Sequence, residues 1–341
     1  MKRALCKSRF KLKWEEFEAD DLGGKEVLVR ISGCGVCASD IHDWEGGLKS
    51  WQPLGHEMVG VVEKAGSHVK NILVGMPVAI RNATACGDCE PCCQGAPRFC
   101  QRIIHCLGGF ATHVKTDARA LLPLDDLPLV DSVLIEPLNV ALDLIKTAEL
   151  QDAGPVIIVG PGPIGILAAY VCACHFKSPL WVIGHKTSVQ RQELLQKLPT
   201  LQKIYDANNC GWADEARGDL SRLRGAKFLI TAPPDSIPNT VLPIAPPSSV
   251  FSTIGLASHA SDELLKMSLR AWMFRRYQLR TSFAYPNLYF DEAKKILRSG
   301  IIPTRQLITH HFSLARLRDA VECVRRRENG LIKVVVDPEM I

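Results

Sequence analysis

Between Glu26 and about Leu122, apolar residues come in short runs broken by glycine and polar turns: EVLVRIS, EMVGVVEKAG, MPVAI and FATHVKT. Short runs rich in valine and isoleucine and bounded by turn residues predict strands, and their close spacing predicts a small twisted barrel or sandwich. Around Val133 to Leu150 the period changes. Apolar residues in SVLIEPLNVALDLIKTAEL recur at intervals of three and four, which predicts a helix bridging two halves of the chain. Apolar strand-like runs then alternate with helical ones: PVIIVG, a helix over Ile164 to Cys174, PLWVIG, VQRQELLQKL, FLITA and VFSTIGLA. That alternation predicts a doubly wound parallel sheet. After about Ala284 come two helical runs, YFDEAKKILRSG and FSLARLRDAVECVRRRE, and a last strand, LIKVVVDP. This tail is expected to rejoin the first half, giving an α/β protein with one domain over 1–125 and 285–341 and another over 126–284. The proline-dense stretch from Pro233 to Pro247 reads as loops, and no internal repeat or low-complexity tract interrupts the pattern.

A length of 341 residues suits two domains, and a hydrophobic content of 47% suits an ordinary globular chain. The formal charge of +5 is small for this size. Basic stretches at Arg270 to Arg280 and Arg316 to Glu328 alternate with apolar residues at helical spacing, so they read as solvated helix faces and no nucleic-acid partner is expected. The opening MKRALCKSRFKLKWEEF is too charged for a signal-peptide core, and no apolar stretch reaches the roughly 18 residues of a membrane span. Thirteen cysteines in such a chain point to free thiols and metal in a reducing cytoplasm rather than to disulfides.

Four of those cysteines, Cys86, Cys89, Cys92 and Cys100, are spaced C-x2-C-x2-C-x7-C. Four thiolates at that spacing suit a closed tetrahedral zinc shell, which braces a loop and leaves no place for substrate. Chemistry is therefore expected upstream, where Cys37 in GCGVCASDIHDW and His56-Glu57 in PLGHEMVG supply a mixed sulfur, nitrogen and carboxylate set. Three protein ligands with one open position are what a catalytic zinc needs to polarise a substrate oxygen. Downstream, Gly160, Gly162 and Gly165 in VGPGPIG, with Pro163 and Ile164 between them, form a G-x-G-x-x-G turn between a predicted strand and helix. In that setting the motif marks a dinucleotide site. An acidic residue that would hold the ribose hydroxyls of NAD is missing from the end of the second strand. Gly184 stands there, His185 and Lys186 follow, and Arg191 lies in the next helix, a set that favours the extra phosphate of NADP over NAD.

Together, GCGVCASDIH, GHEMVG, CGDCEPCCQGAPRFC, GGFATHV, IEPLNVAL, VGPGPIG and IKVVVDP resemble the zinc-dependent medium-chain dehydrogenase/reductase family, most closely its sorbitol, polyol and threonine dehydrogenase branch. The resemblance spans nearly the whole chain. It implies a GroES-like catalytic domain built from both chain ends, a Rossmann domain between them, and two zinc ions per chain, one catalytic and one in the lobe at 86–100. Cys37 and His56 match catalytic zinc ligands. Glu57 and Glu136 both match carboxylates that bind the metal or hold its water in relatives, and the choice between them stays open; Glu136 also suits the N-terminus of a helix without any metal role. Ser39 and His42 match a relay that carries the hydroxyl proton through cofactor hydroxyls to solvent. The family also implies a homodimer or homotetramer.

These readings converge on an alcohol dehydrogenase acting on a secondary hydroxyl of a polyol, sugar or cyclitol. Trp44 and Trp51 are candidates for a pocket wall or for the core. The stretch between Cys100 and Gly108 is shorter than expected for relatives, which bears on substrate size. A biosynthetic ketone reductase on the same fold is the alternative. A non-catalytic dehydrogenase-fold binding protein is a weaker one, since no ligand or relay residue is missing.

Overall fold

A computed structural model describes residues 1–19, 21–151, 154–184, 189–233, 237–254 and 268–340. It divides the chain into two compact units, Met1–Asn139 with Ala284–Ile341, and Val140–Phe283. The first unit opens with an antiparallel hairpin of β1 (Lys2–Lys7) and β2 (Lys11–Glu16), in a stretch whose charge masked its strands. Ala4, Leu5 and Cys6 are buried, while Arg3 pairs with Glu15 across the ladder and the Lys2 ammonium lies over the Trp14 ring. The charges thus stabilise the hairpin from outside. There follow β3 (Glu26–Gly35), α1 (Ala38–His42), β4 (Glu57–Ala65), β5 (Pro77–Ile80), β6 (Ala83–Thr84), α2 (Glu90–Cys93), β7 (Ile104–His105), β8 (His113–Asp117) and β9 (Leu121–Pro123). A 3-10 turn over Asp131–Leu134 leads into α3 (Ile135–Thr147), within which the chain passes from one unit to the other.

The second unit carries β10 (Val156–Val159), α4 (Pro163–Tyr170), β11 (Leu180–Gly184), α5 (Val189–Gln196), β12 (Leu201–Asp206), α6 (Trp212–Leu220), β13 (Lys227–Ile230), β14 (Val250–Thr253), α7 (Leu269–Arg275) and β15 (Gln278–Thr281). Its strands form one parallel sheet in the order β12-β11-β10-β13-β14-β15. Every residue of β10 is buried, as a central parallel strand covered on both faces requires. Strand order reverses between β10 and β13, the place where such sheets bind dinucleotides.

Three stretches of this unit differ from the sequence reading. β12 was not anticipated, because its LQKIYD run is polar; Lys203 reaches Glu215 and Asp219 on α6, and a polar face of this kind suits a sheet edge. The basic run from Arg270 is not one helix: Arg276 turns left-handed at φ 54°, and the chain continues as edge strand β15. The proline-dense stretch contains a helical turn at Ile237–Val241.

The tail adds α8 (Phe290–Arg298), α9 (Thr304–Leu307), β16 (Ile308–Ser313), α10 (Leu317–Arg325) and β17 (Lys333–Asp337) to the first unit. Its main sheet runs β16-β17-β3-β4-β5-β9, with β8 also on β3. Val29, Ile31, Trp44, Phe110, Leu317 and Val334 share its core. Among the described residues, no helix is long and apolar enough to cross a membrane.

Candidate active site and metal centres

Cys37 sits at the turn from β3 into α1, as the residue that caps the helix. Three residues later, Asp40 accepts a hydrogen bond from the Cys37 backbone N–H at 2.9 Å, closing the first turn. Its other oxygen lies 3.1 Å from the Gly55 backbone nitrogen and 3.2 Å from His56 Nδ1. This buried carboxylate therefore ties α1 to the segment before β4 and orients the imidazole through Nδ1, while that ring also hydrogen-bonds the Cys37 thiol. Burial opposes the negative charge of Asp40, but His56 and the two N–H donors hold its pKa below the ordinary carboxylate range.

Glu57 opens β4 directly across from Gly35, the last residue of β3. A Cβ on Gly35 would stand 1.9 Å from Glu57 Oε2, so the bare glycine makes room for the carboxylate. Ligand atoms of Cys37, His56 and Glu57 all lie within 4.8 Å of one another. Glu57 Oε2 is buried with no hydrogen-bond partner among the described residues. Its Oε1 accepts from Lys333 Nζ at 2.5 Å, and Lys333 also donates to the Val36 carbonyl at 3.2 Å. A thiol, an imidazole and a carboxylate gathered in this way, with one carboxylate oxygen unpartnered, are the donor set of an open zinc site, so the residues present fit that metal.

Glu136, on the first turn of α3, is buried but falls outside that close trio. Burial is the main reason its pKa is pushed up to about 7; His56 pulls it down and Glu57 pushes it up. Ser39 is half-buried and His42 exposed, on the same short helix as Asp40. Trp44 belongs to the core, where its indole N–H donates to the Lys11 carbonyl at 2.8 Å, so it walls no pocket. Trp51 is exposed, with the Lys13 ammonium 5.1 Å from its ring centre.

In the lobe, the sulfurs of Cys86, Cys89, Cys92 and Cys100 also lie within 4.8 Å of one another, while neighbouring Cys93 faces solvent. Cys89 Sγ is 3.4 Å from Cys92 Sγ and 3.8 Å from Cys100 Sγ. Backbone N–H groups of Cys86 and Arg102 point at Cys100 Sγ at 3.2 and 3.4 Å. The Gln101 backbone N–H leads the effects that lower the Cys89 pKa to about 6, which favours the thiolate a metal requires. Four sulfurs gathered by one short loop fit a closed zinc shell.

The glycine turn lies between β10 and α4. Gly160 takes φ +94°, a conformation that side chains disfavour, and its carbonyl accepts from Thr231 Oγ1 at 2.6 Å. A Cβ on Gly165 would meet that same carbonyl at 2.2 Å, whereas one on Gly162 would meet nothing within 4 Å. Gly162 caps α4, Pro163 and Ile164 begin it, and open space beside the backbone at a helix N-terminus is what a pyrophosphate needs. Gly184 ends β11, opposite Asp206 of β12. Arg191 is half-buried near the start of α5, and His185 and Lys186 lie outside the described residues.

Asp40 and Lys333 are the residues that sequence reasoning missed. Each left a signal: a carboxylate three positions after the capping Cys37, and a lone cation at the start of the apolar strand KVVV. A cavity of about 530 Å³ lined by Lys25, His68, Lys70, Asp117 and Arg119 also lies in this unit, but it shares no residue with either metal cluster.

Residues 23–126 match the alcohol dehydrogenase GroES-like domain. The chain is 25% identical over 366 residues to the sorbitol dehydrogenase of Bacillus subtilis (strain 168), covering 99% of this chain and 97% of that protein. Galactitol-1-phosphate dehydrogenase from Escherichia coli superposes with a TM-score of 0.86 at 24% identity, over 99% of this chain and 100% of that one. A short chain alcohol dehydrogenase from E. coli CFT073, complexed with the cofactor NADH, gives a TM-score of 0.87 at 22% identity, over 99% of both chains. With its GroES-like segment, its six-stranded parallel sheet and its two clusters of metal-ligand residues, the chain is similar over nearly its whole length to the polyol dehydrogenases among these relatives.

Proposed function

We propose that this oxidoreductase moves a hydride between a secondary hydroxyl of a polyol, sugar or cyclitol and NADP, with one zinc at Cys37, His56 and Glu57 and a second in the four-cysteine lobe. The observation that carries the reading is the convergence of Cys37, His56 and Glu57 on one point, with a buried carboxylate oxygen left over for a cation. When bound there, zinc supplies a Lewis acid that makes the substrate hydroxyl easier to ionise.

The chain's own groups do the rest. Ser39 Oγ would accept the hydroxyl proton while releasing its own towards the cofactor hydroxyls, and His42, exposed at the end of α1, would take it from there to water. Once bound, the cofactor would supply the hydride acceptor, and the substrate alcohol that gives up its hydride would become a ketone. Glu136, whose pKa burial raises to about 7, is partly protonated at neutral pH and in that form can donate a hydrogen bond to a substrate oxygen beside Glu57. Backbone N–H groups opening α4 hold the cofactor pyrophosphate. Gly184, in place of a ribose-binding acid, supports NADP, as do the His185 and Lys186 that follow it in sequence. We place the enzyme in the cytoplasm as a homodimer or homotetramer.

A panel of polyols and sugar alcohols, followed by nicotinamide absorbance with NAD and NADP in parallel, tests the reading. Turnover of at least one member, faster with NADP, is expected. Turnover only with NAD removes the cofactor clause, and none in either direction with ketones included removes the reading itself. The absent acid also favours ketone reduction as the working direction, which initial rates both ways at fixed cofactor ratio decide.

A further inference from the structure

Lys333 is a buried cation with two fixed partners, Glu57 Oε1 and the Val36 carbonyl, and only 3% of the residue reaches solvent. A buried ion pair is weak evidence for stability, since apolar replacements often stabilise as well. What distinguishes this one is its effect on Glu57. One carboxylate oxygen is held by the ammonium, and the other lies over Gly35 with no hydrogen-bond partner among the described residues, in a carboxylate that gathers with Cys37 and His56. A carboxylate with both oxygens free can grip a metal through both; one with an oxygen already committed offers a single oxygen.

We propose that Lys333 is a positioning residue for the metal centre: it claims one oxygen of Glu57, restricts that side chain to a one-oxygen contact with the metal, and keeps the contact weak enough to exchange. The proposal rests on reading Cys37, His56 and Glu57 as the metal site. Two effects act in the same direction. The ammonium competes with the metal for the Glu57 electrons, and its positive charge repels the incoming cation across a dry interior. Its attachment to Val36 keeps it from swinging aside, so the restriction is built into β17.

The test compares wild type with Lys333→Met and Lys333→Arg, and uses Lys333→Gln in place of the methionine variant should that fail to fold. Cobalt replaces the metal, and the spectrum of Cys37→Ala protein is subtracted to remove the lobe. Loss of the neutralised variant's site metal to a chelator is expected to slow about tenfold, a typical size for the effect of a residue behind a ligand. Its visible absorption is expected to weaken as Glu57 takes a second bond and coordination rises, while Lys333→Arg stays like wild type. A purely structural role predicts the reverse: metal lost faster or at the same rate, with an unchanged spectrum, and that result overturns the proposal. If wild type binds no more metal than Cys37→Ala, the site reading fails instead, and the two failures are told apart.

Discussion

The four-cysteine lobe and the Cys37 cluster both gather metal-ligand side chains within the same unit, yet they are built in opposite ways. The lobe takes its ligands from one loop between Cys86 and Cys100, and backbone N–H groups of Cys86 and Arg102 point at the Cys100 sulfur. The Cys37 cluster draws on the turn after β3 and the start of β4, with the first residue of β17 behind it, and it is crowded with buried ionisable groups: Asp40, Glu57, Lys333 and, nearby, Glu136. The difference teaches how much surrounding structure each kind of site needs. A closed shell needs only the correct spacing, whereas a site with a vacancy needs neighbours that keep each ligand from closing it.

The sharpest way to break this contrast is to remove one cysteine from each. Cys37→Ala should reduce turnover by about 1,000-fold or more, the scale of a lost Lewis acid, while one metal per chain remains and thermal stability hardly changes. Cys100→Ser should do the converse, lowering the melting temperature by about 10 °C with far less effect on turnover of the protein that stays folded. Metal analysis, melting curves and steady-state rates on both variants settle it; equal losses of activity would erase the distinction.

Asp40→Asn comes next in size. It keeps the shape of the capping residue but removes the charge behind His56, and metal affinity should fall about 10- to 100-fold by competition with a chromogenic chelator. The lobe, whose four ligands come from residues 86–100 and whose Cys86 thiol has its own carboxylate neighbour in Asp88, should keep its metal throughout that titration.

The smallest effect concerns pH in metal-free protein. Glu136 has a folded pKa of about 7 against an ordinary 4.5, so the folded state binds its proton more tightly than the unfolded chain does. Stability from this group is therefore complete below pH 4.5 and is lost as pH rises through about 7. Urea midpoints should decline over that window in wild type and flatten in Glu136→Gln. Parallel declines in both would assign the slope to other groups.

The lobe was legible from spacing alone, because its ligands are close in sequence and sulfur has few other uses at that density. The glycine turn was legible for the same reason: Gly160 to Gly165 carry their steric demands locally. β12 and β15 were less so, since an edge strand exposes one side and loses the apolar run that marks an interior strand. Trp44 showed its core role only when the hairpin placed the Lys11 carbonyl beside its indole. Lys333 was hidden for a different reason. Nothing near it in sequence names its partner, and only the pairing of β17 with β3 carries it to Glu57, 276 positions away.

That pairing has a consequence for how the protein is made. A ribosome releases Cys37, His56 and Glu57 long before residue 333, so an early ion meets a carboxylate with both oxygens free and can be gripped too firmly. On the proposed role of Lys333, the site reaches its final form only when β17 docks, so metal loading and catalytic competence would be separate events in the life of each new chain.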